Sequence, residues 1–168
     1  MGREAFHQLL LNELRELYSS EGLLLQALPQ MAEAACAEEL KKAFENHHSE
    51  TQNQYQRLDK IFSILGEQSA GPKSNVMQAL IAEVSKVIVS DYPDEVKDAA
   101  LISAAQCIEH YEIARYGTAK TFAKELDHTS IMEILKVSLD EEGGTNQNLS
   151  NLAEGGIFVS GINRKAKG

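Results

Sequence analysis

The sequence predicts an all-α fold, a bundle of four long helices whose two halves are joined by a crossover carrying a short extra helix. Three observations predict it. Apolar residues recur at spacings of three and four along most of the chain, and no segment alternates convincingly as a strand. Two of the breaks, "AACAEE" and "LDHTS", are short enough to make the flanking helices antiparallel neighbours. Residues 66–93, by contrast, are long enough to carry the chain back along the bundle before the second pair begins.

The first helix is expected from about residue 3 to 35. Leu10, Leu14, Leu17, Glu21, Leu24, Leu28 and Met31 form one continuous face, and Pro29 predicts a kink rather than a stop. The second runs from about Ala37 to Leu65 with the stripe Leu40, Phe44, His47, Thr51, Gln54, Leu58, Ile61 and Leu65, and Gly66 suits its end. A shorter helix at 75–89 has Val76, Leu80, Val84 and Val87 on one side. The third long helix opens at "SDYPDE", with Pro93 near its first turn and Asp94 and Glu95 at the positive dipole end, and reaches about Leu126. Ser130 and Glu133 have capping-box spacing, so the last long helix starts there and ends near Ala153. Gly143-Gly144 weakens its middle by about 1 kcal/mol per glycine. Residues 1–154 are therefore read as one bundle domain of the crossover, ferritin-like kind, and 155–168 as a tail, arm or disordered segment.

Composition excludes several classes. A net charge of −9 argues against a general nucleic-acid binder, because phosphate contacts need clustered Lys and Arg. Cys36 and Cys107 lack metal-finger or redox spacing and are read as buried free thiols. The start, "MGREAFHQLLLNELRE", has no uninterrupted apolar core, and no stretch approaches the roughly 20 apolar residues that span a bilayer. The expected location is the cytoplasm, with no membrane partner. Nucleophile motifs, phosphate-cradling loops and dinucleotide fingerprints are absent from the sequence.

The chemistry lies in polar residues on otherwise apolar stripes. Glu21 sits between Leu17 and Leu24, Glu109 and Glu112 share a face with Ile102, Ala105 and Tyr116, and His47, Glu50 and Gln54 are each a turn apart. The last helix offers Glu142, with Glu141 beside it. Glu21 and Glu50 are equidistant from the first turn, and Glu112 and Glu142 from the second, each about 20 Å along its hairpin at 1.5 Å per residue. Both hairpins thus place acid at one depth. A shift of 91 residues faintly superposes the halves, matching Leu14 to Ala105, Glu21 to Glu112, Glu50 to Glu141 and Leu58 to Leu149. Ionised carboxylates inside a bundle must be paired, metal-bound or protonated. One carboxylate per helix with extra Glu and His a turn away is how bundles hold two metal ions, and an oxygen-rich set favours iron or manganese.

The stretches "LYSSEGLLLQALP", "FENHHSETQNQYQRLDKIF", "DAALISAAQCIEHYEIARYGTAKTFA" and "LDEEGGTNQNLSNLA" resemble the YciE/YciF family of bacterial stress proteins, from about residue 6 to 154. The resemblance implies a ferritin-like bundle, a homodimer, a dinuclear metal centre and association with stress. Carried over by position, its metal ligands are Glu21, His47, Glu50, Glu109, Glu112 and Glu142, with Glu141 as the alternative on the last helix. Tyr18 and Tyr111 are the residues expected to orient them, and Tyr18, Tyr111 or Tyr116 to exchange an electron. Gln54 and Asn146 stand where relatives have His and Asp, and Gly143-Gly144 replaces good helix formers. Two functions follow: a protein with two divalent ions, iron or manganese, that handles O2 or peroxide; or a non-catalytic structural or partner-binding stress protein with a degraded or absent metal site, its acids neutralised by His47, His110 and Arg115 and its tail "GIFVSG" making contacts.

Overall fold

A computed structural model describes residues 2–155 and 160–167. Its helices are α1 (Gly2–Ala34), α2 (Glu38–Leu65), α3 (Asn75–Ile88), α4 (Asp94–Glu125), α5 (Thr129–Glu154) and α6 (Ile162–Lys167). The α1–α2 and α4–α5 hairpins pack with α1 beside α4 and α2 beside α5, and α3 lies against α1 and α4 within the crossover. This is the ferritin-like bundle that the stripes predict. No helix among the described residues is long and apolar enough to cross a membrane.

The bundle has two apolar ends. Leu10, Leu14, Leu17, Leu58, Ile61, Phe62, Leu126, Ile131 and Leu135 fill the end near the α4–α5 turn. Leu24, Leu28, Met31, Leu40, Phe44, Ile102, Leu149 and Ala153 fill the other, under α3. Each fully buried Leu contributes roughly 1.5–3 kcal/mol. The polar stripe residues lie between these two plugs, so the sequence order apolar–acid–apolar on each helix becomes a layer in space.

The helix ends show where local reading succeeds and fails. Gly66 closes α2 at φ 66°, a left-handed conformation that glycine adopts without steric cost. The capping box at Ser130 does not form: α5 begins at Thr129 after His128, with no side-chain cap. Asp127, at φ 62°, makes the α4–α5 turn tight enough to start the helix earlier. On α3 the inward residues are Met77 and Val84, flanked by Leu80, Ile81 and Val87, while Val76 faces solvent. Cys36 and Cys107 are free but exposed, not buried, because one lies in the α1–α2 turn and the other on the outer side of α4.

The tail also departs from expectation. Residues 162–167 form α6, which packs on α4 and α5 and buries Ile162 in the core. Six residues are too short for a periodic signal, so docking rather than propensity makes this helix. Gly161 permits the approach, since a Cβ there would collide with the backbone of Ala153–Gly155. Residues 156–159, most of the apolar tail segment, lie outside the described residues.

One cap is supplied from another helix. Ala37 has no side-chain cap to offer α2, and the backbone N–H groups of Cys36 and Ala37 instead donate to the buried Asp98 carboxylate on α4 at 2.8 and 2.7 Å. Asp98→Ala strips both N–H groups of their acceptor. The expected cost is about 2 kcal/mol, or about 4–8 °C in Tm, read by thermal melting; a shift within 1 °C refutes the capping role.

Candidate metal centre

Five helical positions converge on the layer between the apolar plugs. Glu21, His47, Glu109, Glu112 and Glu142 are all at most 2% exposed. Ligand atoms of His47, Glu109, Glu112 and Glu142 lie within 4.8 Å of one another, a group of buried donors that can hold a metal ion. His47 Nε2 stands 3.3 Å from Glu109 Oε1 without hydrogen-bond geometry.

Most of these atoms have no partner. Both Glu112 oxygens, both His47 nitrogens, and one oxygen each of Glu21, Glu109 and Glu142 are buried without a hydrogen bond. An unsatisfied buried polar atom costs about 1–3 kcal/mol, more for a charged group, and a ligand shared among several in one layer would offset that cost. Their protonation carries the same message. Burial first, then the Glu21, Glu142 and Glu109 charges, holds the Glu112 carboxyl well above the ordinary carboxylate range. Burial likewise raises Glu21, Glu109 and Glu142. A bound cation removes this penalty by favouring the ionised forms. The donor set fits a divalent metal.

Glu21 belongs to the layer but not to the tight group of four. It accepts a hydrogen bond from the buried Tyr116 hydroxyl, leaving its second oxygen free. Tyr116, not Tyr18 or Tyr111, is therefore the phenol at the centre. Tyr18 stacks on Tyr55 at 4.3 Å between centroids, and Tyr111 donates to Glu16 Oε1 at 2.6 Å. Both occupy helix faces turned away from the layer.

Glu50 is set apart. Its side chain is 42% exposed, its carboxylate accepts from Thr145 Oγ1 at 3.0 Å, and it approaches His47 Nδ1 only to 3.8 Å. Glu141 and Glu142 differ in orientation because of an arginine that the stripes did not flag. Arg57 grips Glu141 with two bonds of 2.6 and 2.7 Å, turning it outward, while Glu142 points inward. Gln54 Nε2 links them, donating to Glu142 Oε1 at 2.5 Å and to Glu141 Oε2 at 3.2 Å. Arg57 lies one turn beyond Gln54, and that spacing is its sole signal in the sequence. Thr51 is buried as its place on the second stripe predicts, and Ser20 is a further buried polar residue of the interior that the stripes did not flag.

Comparison with known proteins agrees with this architecture. Residues 5–166 match the domain of unknown function DUF892. The chain belongs to the DUF892 family. It is 38% identical over 168 residues to protein YciF of Escherichia coli K12, covering 99% of this chain and 98% of that one. The crystal structure of that Escherichia coli stress protein superposes with a TM-score of 0.85, covering 88% of this chain and 93% of the other. YcfI from Rhodopseudomonas palustris matches equally, at 38% identity and a TM-score of 0.85 with 88% and 94% coverage. A Xanthomonas campestris protein at 20% identity, TM-score 0.69 and coverage of 90% and 89%, shares the fold.

Proposed function

We propose that this DUF892 chain is a divalent-metal protein of the stress response, holding two ions of iron or manganese and meeting O2 or peroxide. The observation that carries the reading is the set of buried, unpartnered donors on four helices. His47, Glu109, Glu112 and Glu142 would hold one ion, and Glu21 in the same layer would help to hold a second. Fe(II) or Mn(II) held there would supply the electrons for reduction of a small oxidant. Around it, this chain excludes water with its two apolar plugs, and Gln54 fixes the inward angle of Glu142. Tyr116 holds its proton against Glu21, and its burial raises the phenol well above its ordinary pKa, so the proton stays in place at neutral pH.

The scaffold alternative, as read from the sequence, neutralises the acids with His47, His110 and Arg115; its other course is to keep them protonated. Arg115 instead pairs with Glu13 at 2.9 Å, and His110 faces solvent. That leaves His47 alone for four buried carboxyls, which favours the metal reading. The test is anaerobic Fe(II) titration followed by O2. Saturation near roughly two ions per chain and a spectral change on oxygenation are expected; a wild-type chain that binds no Fe(II) saturably overturns the proposal.

A further inference from the structure

The faint internal repeat has a structural consequence at Glu50. A shift of 91 residues pairs Glu50 with Glu141, Gln54 with Thr145, and Arg57 with Asn148. The contacts follow the same exchange: Gln54 of α2 bonds Glu141 of α5, and Thr145 of α5 bonds Glu50 of α2. The two carboxylates are thus counterparts across the α2–α5 face, each held by the polar side chain of the opposite helix. They differ in one respect. Arg57 pins Glu141 bidentately, whereas its counterpart, Asn148, carries no charge and faces solvent.

Glu50 is the unpinned member of the pair. Of Glu21, Glu50, Glu109, Glu112 and Glu142 it alone is not buried, its side chain being 42% exposed, yet its carboxylate lies 3.8 Å from the buried, unpartnered Nδ1 of His47. One side chain therefore touches both water and the interior. Beside Thr145, Gly143 and Gly144 are exposed, and a Cβ on either would meet nothing within 4 Å. No side chain from those positions covers the Glu50 carboxylate.

We propose that Glu50 is a swinging carboxylate that passes divalent cations between solvent and the buried donors, rather than a permanent ligand. This rests on the metal-binding reading above. In its outer position Glu50 accepts from Thr145 and collects a cation from water. Turning inward past His47, it delivers the ion to the group formed by His47, Glu109, Glu112 and Glu142. Glu141 cannot do this, because its guanidinium partner would have to be broken on each swing. No bond to the protein chain is made or broken; the ion exchanges water for carboxylate and then for the interior donors.

The test is Co(II) uptake followed by stopped-flow visible absorbance, Co(II) extraction by EDTA, and equilibrium titration of the same proteins. Glu50→Gln removes the carrier charge. Asn148→Arg, at an exposed position, places a guanidinium against Glu50 as Arg57 stands against Glu141. Each variant is expected to slow uptake and extraction together by about tenfold, Glu50→Gln by loss of the carrier carboxylate and Asn148→Arg by an added ion pair that must break on each passage. Stoichiometry and Kd stay within about threefold of wild type, since both rates fall together. A Kd weakened in proportion to the extraction rate, with uptake unchanged, makes Glu50 an ordinary ligand and overturns the proposal. Unchanged rates in both variants overturn it as well. A wild-type chain that takes up no Co(II) instead removes the metal reading itself.

Discussion

Metal-free protein carrying Glu112→Gln is expected to melt above metal-free wild type at pH 8, and the order is expected to reverse when Mn(II) is added. Glu112 is fully buried, neither of its oxygens has a hydrogen-bond partner, and burial plus three neighbouring carboxyls oppose its ionisation. An amide of the same shape stays neutral without holding a proton that the unfolded chain would release, and it offers N–H donors to the carboxyls around it. The expected gain is on the order of 2 kcal/mol, about 4–8 °C in Tm for a chain of this size. With Mn(II) at a hundred times its dissociation constant, wild type gains about 2.7 kcal/mol by mass action, about 5–11 °C. The variant, having lost a carboxylate of the proposed donor group, gains little. Thermal melts with chelator and with Mn(II) check both halves. If the variant stays above wild type in saturating Mn(II), the buried acids are not ligands.

The second large effect is the pH dependence of the metal-free chain. Glu21, Glu109, Glu112 and Glu142 have folded-state pKa values raised above the ordinary 4.5, chiefly by burial. As pH climbs past about 4.5 the unfolded chain releases these protons while the folded chain keeps them. The native state then binds more protons than the unfolded one, so stability falls with rising pH until the folded carboxyls also ionise. The expected result is a Tm that declines between pH 5 and 8 in chelator. Metal must displace those protons to bind, so the loaded protein is expected to show the opposite trend, gaining stability over the same range. Melting curves across that range, with and without Mn(II), decide it. A chelated protein whose Tm climbs from pH 5 to 8 shows that the four carboxyls are ionised without a metal.

Taken together, the two effects describe an interior whose acids are a liability without a cation and a stabilising element with one. That contrast separates this layer from the remaining charged residues. Arg115 with Glu13, and Arg57 with Glu141, are partly buried pairs that satisfy each other and need no ion. Glu112 has no such partner.

What the amino-acid order determined by itself is the part governed by period and distance along a helix. The stripe Leu10–Met31 is buried as expected, Gly66 ends α2, and Glu21, His47, Glu109, Glu112 and Glu142 share one depth because rise per residue is constant. Rotation about the helix axis was legible only where an apolar stripe defined it. Adjacent residues differ by about 100° around the axis, so the pair Glu141–Glu142 was ambiguous until Arg57, on another helix, drew one of them outward. The same holds for Glu50, Tyr18 and Tyr111, whose positions near the stripe edge fit either side. Asp98 capping α2, Tyr116 reaching Glu21 and Ile162 anchoring α6 depend on which helices become neighbours. Tertiary structure decided these because each joins residues more than 60 positions apart, or a segment too short to carry a periodic signal.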